Sequence, residues 1–364
     1  MSIDDILFTS KPLPVIVHEN EENMAKKKEE KYVSPSAGLD VGTGWLVGSS
    51  YISTTKIDYI PLRDCFYTIP TEMFSKSMFN KDKVKYVEHD GRIHIVGEDA
   101  LTLAKIQNGV AQRPMAKGVI NPNERSSAPI LREMIRYCIE TNPIQKGGKV
   151  VFSVPAAVIG SDDNFNVEYH ELSISSLISS LGYTPEPLNE AYAVIISEME
   201  NADEVTGLGL SFGAGLVNVA MAYKGMKLFE FSINKSGDFI DKESSRACGI
   251  GESIMNHIKE RQLDLTKNEF EVDAEQRALI FVHKHVIKNV IDNIIRTFSK
   301  SDSVNIIEPI PVIISGGTTL PNGFVELFEK ELLNAKLPFK VTEVIPAKDR
   351  LTAVAHGCLL WSMR

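Results

Sequence analysis

Two stretches of similar sequence decide the fold: Leu39-Asp40-Val41-Gly42-Thr43-Gly44 and Leu210-Ser211-Phe212-Gly213-Ala214-Gly215. Each ends an apolar, strand-like run with a polar residue and Gly-x-Gly, and a second strand-like run follows. Glycine at such a hairpin tip lets the backbone approach a phosphate, and the exposed N–H groups form an anion-binding nest. The two stretches lie about one domain length apart. We therefore predict two related halves whose hairpins grip a polyphosphate from both sides.

Two other phosphate-binding loops are excluded by their context. A dinucleotide-binding fingerprint needs a helix after its glycines, whereas residues 45–52 are typical of a strand and the glycine spacing is GxGxxxG. A P-loop is excluded because no GxxxxGK[ST] sequence occurs; residues 146–149 (KGGK) lack its first glycine and its hydroxyl residue. The paired hairpins are left as the predicted phosphate site.

The predicted elements follow a similar order in both halves, which indicates an α/β fold. In the first half, strands are predicted at 37–41, 45–52, 65–69 and 149–155, and helices at 130–141, 168–181 and 190–199. In the second half, strands are predicted at 208–212, 216–223, 228–233 and 311–315, a helical region at 241–298 and a helix at 324–335. The two halves are thus predicted to be structural relatives.

Composition limits the classes of function. A chain of 364 residues with 43% hydrophobic and 24% charged residues is typical of a globular protein of two lobes. The net charge of -9 disfavours a general nucleic-acid binder, so no direct nucleic-acid partner is expected. No apolar run approaches the roughly 20 residues of a membrane-spanning helix, which predicts a soluble protein.

Cysteines and histidines provide no metal-binding pattern. The four cysteines have no CxxC pair, which favours reduced thiols in the core and a cytoplasmic location; they are Cys65, Cys138, Cys248 and Cys358. His283 and His285 would point to different faces of a helix, and both are interpreted as surface residues. The apolar spacing over residues 286–298 is interpreted as core packing.

Several motifs resemble one known superfamily. Residues 38–44 resemble the phosphate-1 motif of the actin, heat-shock chaperone and sugar kinase superfamily, and residues 315–321 closely resemble its adenosine motif as it occurs in actin. Weaker likenesses occur in the family's order. Residues 113–120 resemble a stretch of bacterial MreB, and residues 189–193 and 351–357 resemble the two connecting motifs. Residues 236–241 and 257–260 resemble family segments that lie between those motifs. The chain is therefore similar to prokaryotic actins of the MreB, magnetosome and plasmid-segregation types.

The resemblance implies a bilobal actin-like fold, a duplicated ribonuclease H-like α/β fold with nucleotide in the interlobe cleft. Residues 1–37 are predicted to be a flexible tail because they include a long charged run with almost no apolar face. Lobe I is predicted over 38–185, with a small subdomain at 71–111 and completion by 345–364. Lobe II is predicted over 186–344, with its small subdomain at 241–307.

The resemblance also assigns ligands and site residues. ATP or ADP with Mg²⁺ is the implied cofactor, and Asp40 would hold the metal through water, with Ser211 as a weak second site. Glu190 would position the attacking water as the catalytic residue. The implied nucleotide-binding residues are Gly42, Thr43, Gly44, Trp45, Gly213, Ala214, Gly215, Ser236, Gly237, Lys259, Glu260, Gly316, Gly317 and Thr318.

Ser211 departs from the family pattern. Relatives usually have aspartate at this position, and Leu216 likewise replaces a usual hydroxyl residue. Serine can hydrogen-bond a metal-bound water but brings no charge, and losing a charge-assisted bond costs about 1.5 to 3 kcal/mol. We therefore predict ATP binding with slow hydrolysis.

Three functions follow from the resemblance. The first is a cytoskeletal filament that assembles with itself and hydrolyses ATP. The second is a non-polymerising, nucleotide-dependent adaptor, marked by the N-terminal tail or Ser211, in which closure displays a surface for a partner. An adaptor or membrane-associated protein is the candidate partner of the tail. The third is a small-molecule kinase, for which Asp238 or Asp241 could accept a substrate proton. The sequence does not discriminate ATP from GTP, and it contains no signal for the cargo or the filament geometry.

Overall fold

The computed structural model describes residues 31–70, 84–121, 123, 127–160, 167–199, 204–300, 306 and 308–364. Most of the predicted tail therefore lies outside the described residues. The strands are β1 (Ser34–Val41), β2 (Trp45–Tyr51), β3 (Ile57–Arg63), β4 (Phe66–Pro70), β5 (Tyr86–His89), β6 (Arg92–Val96), β7 (Met115–Ala116), β8 (Val119–Ile120), β9 (Ile144–Val154), β10 (Thr184–Asn189), β11 (Gly207–Phe212), β12 (Val217–Tyr223), β13 (Met226–Ile233), β14 (Ile310–Ser315) and β15 (Val341–Pro346). The helices are α1 (Glu98–Ile106), α2 (Ala128–Glu140), α3 (Val167–Ser180), α4 (Glu190–Glu198), α5 (Gly237–Cys248), α6 (Glu252–Arg261), α7 (Ala274–Lys300), α8 (Phe324–Asn334) and α9 (Ala353–Ser362).

Each half is built on a five-stranded sheet of the same topology. The first sheet has the order β10-β9-β1-β2-β3 and the second the order β15-β14-β11-β12-β13. In both, a central strand pairs in parallel with one neighbour and in antiparallel with the next strand in the sequence. The predicted relation between the halves is thereby confirmed.

Two helices pack against each other between the sheets. Helices α4 and α9 share a buried cluster that includes Val194, Ile195, Val354 and Cys358. They approach so closely that a Cβ at Gly357 would lie 1.9 Å from the carbonyl oxygen of Ala193. These are the segments that resemble the family's connecting motifs, and their contact joins the two halves of the chain beneath the cleft.

The first sheet differs from the prediction at two strands. After β1 and β2, the next strand of this sheet along the chain is β3, which lies at its edge. The predicted strand at 65–69 corresponds instead to β4, which pairs with β6 in a separate three-stranded sheet. The prediction missed β3 because Pro61 and two charged residues obscure its alternation; as an edge strand it tolerates them. Strand β1 also begins at Ser34, which is fully buried, so residues 34–37 belong to the sheet rather than to the tail.

Other expectations are resolved residue by residue. All four cysteines are free; Cys65, Cys138 and Cys358 are buried and Cys248 is partly exposed. The prediction that His283 lies at the surface is wrong. Helix α7 presents His283 to the core, where burial lowers its pKa to about 4. Val286, Val290 and other apolar residues of α7 lie in the core, as predicted. Within the described residues, no helix is long and apolar enough to cross a bilayer.

Candidate nucleotide site

The two hairpins occupy equivalent positions in their sheets. The last pairs of the first hairpin are Asp40 with Val47 and Val41 with Leu46. The last pairs of the second are Ser211 with Asn218 and Phe212 with Val217. In each hairpin the first glycine N–H donates to a carbonyl three residues on, at 3.0 Å for Gly42 and 2.9 Å for Gly213. The register therefore makes Asp40 and Ser211 structural counterparts.

The hairpin tips approach each other closely. A Cβ at Gly44 would lie 3.1 Å from the Cβ of Ala214, and a Cβ at Gly215 would lie 2.6 Å from Thr43 Oγ1. The short β7–β8 ribbon closes the junction, because the Gly118 N–H donates to Thr43 Oγ1 at 2.8 Å. The absence of side chains at the glycines is what allows this approach.

A cavity of about 430 Å³ lies between the halves at these tips. It is lined by the predicted residues Asp40, Gly42, Thr43, Gly44, Trp45, Glu190, Ser211, Gly213, Ala214, Gly215, Lys259, Glu260, Gly316, Gly317 and Thr318. Ser236 and Gly237 lie behind the second hairpin instead. The Ser236 hydroxyl donates to the carbonyls of Gly213 and Leu216, and the Gly237 N–H donates to Gly213 at 3.2 Å, so both support the backbone of that hairpin.

Glu190 stands at the first position of α4, at the floor of the cavity. Its two carboxylate oxygens accept from different strands: Ser211 Oγ donates to Oε1 at 2.6 Å, and Asn218 Nδ2 donates to Oε2 at 2.7 Å. Burial raises the pKa of Glu190 to about 8; the nearby Asp40 charge adds to the rise and the Ser211 bond opposes it. The side chain is thus fixed in orientation and favours a proton in the absence of a cation.

Asp40 faces Glu190 from the other half. Ser153, at the end of β9, donates to Asp40 Oδ1 at 2.8 Å and accepts from the Val41 N–H at 2.9 Å. Burial raises the pKa of Asp40 to about 6, and the Ser153 bond opposes that rise. In the described part of the chain, neither Asp40 nor Glu190 has an ion-pair partner.

The acid pair fits a hard divalent cation. Two carboxylates that repel each other in a desolvated place are stabilised by a positive charge, and Mg²⁺ accepts few protein carboxylates while keeping waters and phosphate oxygens. Among the described residues, no cluster of three Asp, Glu, His or Cys side chains forms a fuller ligand set. Asp40 would therefore hold a metal only together with water and a phosphate ligand, with the Glu190 carboxylate nearby.

Asn218 and Ser153 are site residues that the sequence reasoning missed. Asn218 Oδ1 accepts from Ser232 Oγ at 2.5 Å and from the Ala156 N–H at 3.4 Å, which directs its Nδ2 towards Glu190. Both residues are polar interruptions of apolar strands, Val217-Asn218-Val219 and Phe152-Ser153-Val154. That interruption is the signal that could have found them.

Comparisons with known proteins identify the family and the fold of the chain. A family model described as Volactin matches residues 36–361, nearly the whole described chain. The chain belongs to the Volactin family. No curated protein matches this volactin in sequence.

Solved structures show the fold of this volactin. It is similar to MamK in a double helical filament, with 12% identity, a TM-score of 0.66, and coverage of 90% of this chain and 98% of that chain. It is also similar to MreB5 of Spiroplasma citri bound to AMPPNP, with 16% identity, a TM-score of 0.62, and coverage of 88% and 94%. At these identities the similarity shows the fold alone, and it confirms the predicted actin-like bilobal fold.

Lys259 lies in the cavity of this volactin but is not solvated. Its Nζ donates to Asp241 Oδ2 at 2.7 Å and to the Gly237 carbonyl at 3.2 Å, and the side chain is buried. Asn256 also donates to Asp241, at 2.9 Å. Lys259 therefore ties α6 to the start of α5, and less of its charge is left for a nucleotide than the resemblance implies.

Residues 315–321, which resemble the adenosine motif, pack behind the second hairpin. Gly316 adopts a φ of 100°, and a Cβ there would lie 2.3 Å from the Phe212 carbonyl oxygen. The Thr318 hydroxyl donates to the Gly213 carbonyl at 2.7 Å. Arg350 donates to the Thr319 carbonyl, which fixes the turn over residues 317–319. Residues 315–321 and the second hairpin are thus one hydrogen-bonded unit.

Two arginines of the first half reach across the cavity. Arg113 NH1 donates to both carboxylate oxygens of Asp238, at 3.0 and 3.1 Å. Arg63 NH2 donates to both oxygens of Glu260 at 2.9 Å. No local sequence signal indicated these partners, because each pair joins segments more than 100 residues apart.

Proposed function

We propose that this volactin binds ATP with Mg²⁺ between its lobes, hydrolyses it slowly and assembles into filaments. The observation that carries the proposal is the convergence of two equivalent glycine-tipped hairpins on a cavity whose floor holds Asp40 and Glu190. The nucleotide complexes of MreB5 and the filament of MamK support it at the level of fold.

Different residues of the cavity would bind different parts of the nucleotide. The backbone N–H groups of the two hairpins, with Thr43, would face the phosphates from opposite sides. Gly316, Gly317 and Thr318 would pack against the base, and Glu260 would lie near the sugar. A magnesium ion bound at Asp40 would supply positive charge against the phosphate oxygens. We also propose the lobe boundaries given above, with lobe I beginning at Ser34, the first residue of β1.

Glu190 is the proposed base for hydrolysis. A carboxylate whose two oxygens are fixed by Ser211 and Asn218 can orient a water molecule and accept its proton. It can do so only when deprotonated, and its raised pKa opposes this at neutral pH. Ser211 adds a hydrogen bond but no charge, so slow turnover is expected.

One experiment separates the three candidate functions. Purified protein is mixed with Mg-ATP, and light scattering, pelleting and phosphate release are followed together. Scattering with a critical concentration supports the filament. Tight ATP binding without assembly at any concentration would exclude the filament and favour the adaptor. ATP consumption that requires an added metabolite would exclude the filament and favour a small-molecule kinase. Turnover as fast as that of typical bacterial actins would contradict the predicted effect of Ser211.

The role of Glu190 is tested by Glu190→Ala. We expect phosphate release to fall by about a hundredfold, the contribution of a positioned base, while nucleotide affinity is retained. Glu168→Ala is the matched control, since Glu168 is an exposed acid in the first turn of α3. Unchanged phosphate release in Glu190→Ala would remove Glu190 from the mechanism.

A further inference from the structure

Arg63 is held rigidly to the first hairpin. It is the last residue of β3 and pairs in register with Trp45 of β2. The N–H of the next residue, Asp64, donates to the Gly44 carbonyl at 3.1 Å. The Arg63 guanidinium carbon also lies 4.3 Å from the centre of the Trp45 ring, within the range of a cation–π contact. Both its backbone and its side chain are thus fixed against the hairpin tip.

The guanidinium group of Arg63 has one acidic partner in each lobe. Its Nε donates to Glu98 Oε1 at 3.1 Å, and Glu98 begins α1 in the same half of the chain. Its NH2 group contacts both oxygens of Glu260, near the end of α6 in the other half. The Glu260 side chain is 34% exposed and that of Glu98 is 62% exposed. The pair that crosses the cleft is therefore less screened by solvent.

Glu260 is in turn connected to the second hairpin. Its neighbour Lys259 donates to the Gly237 carbonyl, and the Gly237 N–H donates to the Gly213 carbonyl at 3.2 Å. A continuous series of contacts therefore runs from the tip of one hairpin through Arg63 and α6 to the tip of the other. Three of its members, Trp45, Arg63 and Glu260, line the 430 Å³ cavity.

We propose that Arg63 is a positioning residue for nucleotide retention: its pair with Glu260 holds α6 of one lobe against the phosphate hairpin of the other. Separation of the lobes requires this pair to break, so a nucleotide enclosed beneath it leaves slowly. The identity of the ligand rests on the proposed function, whereas the contact between the lobes does not.

Release of a fluorescent ADP analogue with Mg²⁺ tests the proposal. Arg63→Met keeps the apolar stem and removes the charge, and Glu260→Gln removes the opposing charge. We expect each to speed release by about tenfold, the loss expected for a charge-assisted hydrogen-bonded pair. The double variant should release no faster than either single one, because the same interaction is lost in both. Glu98→Gln is the matched control and should stay within about twofold, as for an exposed pair.

The opposite results would overturn the proposal. An Arg63→Met variant that released the ADP analogue at the wild-type rate would do so. An effect of Glu98→Gln on this rate equal to that of Glu260→Gln would also do so. Additive effects in the double variant would show that Glu260 acts by touching the nucleotide itself rather than through Arg63. The charge swap Arg63→Glu with Glu260→Arg should restore slow release in part, and a swap as fast as Arg63→Glu alone would contradict the pairing.

Hydrogen exchange in nucleotide-free protein separates this inference from the proposed function. Amides of residues 213–216 should exchange faster in Arg63→Met than in wild type or Glu98→Gln, because the lobes open more often. If wild type bound no nucleotide but this difference appeared, the proposed function would be wrong and the contact between the lobes would stand. If nucleotide bound but neither exchange nor release changed, only the role of Arg63 would be wrong.

Discussion

The two hairpins have the same backbone but different chemistry. In the first, Asp40 is held by Ser153 and brings a carboxylate to the cavity. In the second, Ser211 occupies the equivalent register position and its hydroxyl donates a hydrogen bond to Glu190. The two halves therefore share the hairpin geometry, while only the first hairpin has an acid at this position. Two carboxylates rather than three, those of Asp40 and Glu190, would lie near the proposed metal, and Ser211 donates to the proposed base.

The largest effect is expected when the first hairpin is given the chemistry of the second. Asp40→Ser leaves no carboxylate at either hairpin, so magnesium-dependent hydrolysis should fall by more than about a hundredfold. Phosphate release across a magnesium titration measures this. Asp58→Ser is the control, because Asp58 lies on the same sheet and hydrogen-bonds Asn142 outside the cavity. Retained magnesium dependence in Asp40→Ser would remove Asp40 from the metal site.

Without ligand, Asp40→Ser should be more stable than wild type at alkaline pH. Asp40 has a raised pKa in the folded protein, so its contribution to stability is present below its unfolded pKa and is lost as pH rises through about 6. Removing it abolishes that loss and relieves the repulsion of Glu190. Thermal unfolding of nucleotide-free protein at pH 5 and pH 8 should therefore favour Asp40→Ser over wild type more strongly at pH 8.

The hairpins could be predicted from the sequence, whereas their supports could not. Gly-x-Gly after an apolar run is a local pattern, and its repetition indicated the two related sheets. The roles of Asn218, Ser232 and Ser153 depend on which strands become neighbours and in which register, and no local pattern contains this. The pairs of Arg63 and Arg113 depend further on how the lobes approach each other. Tertiary geometry therefore accounts for most of what sequence reasoning missed.

The reverse exchange gives the second hairpin an acid. Ser211→Asp adds a third carboxylate beside Asp40 and Glu190, which should tighten magnesium binding and raise hydrolysis by about tenfold or more. It also adds repulsion, so the nucleotide-free protein should unfold at a lower temperature. Ser211→Asn is the matched control of similar shape without charge. If both variants behaved alike, the missing charge would not explain the difference between the hairpins.

A smaller effect should follow from filling the junction between the hairpin tips. In Gly215→Ala the new Cβ would meet Thr43 Oγ1 at 2.6 Å and the Gly118 nitrogen at 2.7 Å, so the tips must separate. Strain of this kind costs about 1 to 3 kcal/mol, and we expect nucleotide affinity to fall by about tenfold. Gly251→Ala is the control, since no atom lies within 4 Å of its Cβ position. Equal affinity in both variants would mean that the tips do not need to meet.

The smallest effect is expected from Ser211→Ala, which removes the hydroxyl and leaves the hairpin backbone unchanged. The Ser211 bond stabilises the charged form of Glu190, so its loss should raise the pKa of Glu190 further. Because Glu190 accepts a proton only when ionised, the rise of phosphate release with pH should move by about one pH unit in the alkaline direction. The pH profile of single-turnover phosphate release measures this shift. Ser211→Thr keeps the hydroxyl and should restore the wild-type profile; if instead the alanine variant kept that profile, the serine would do no more for Glu190 than fill space.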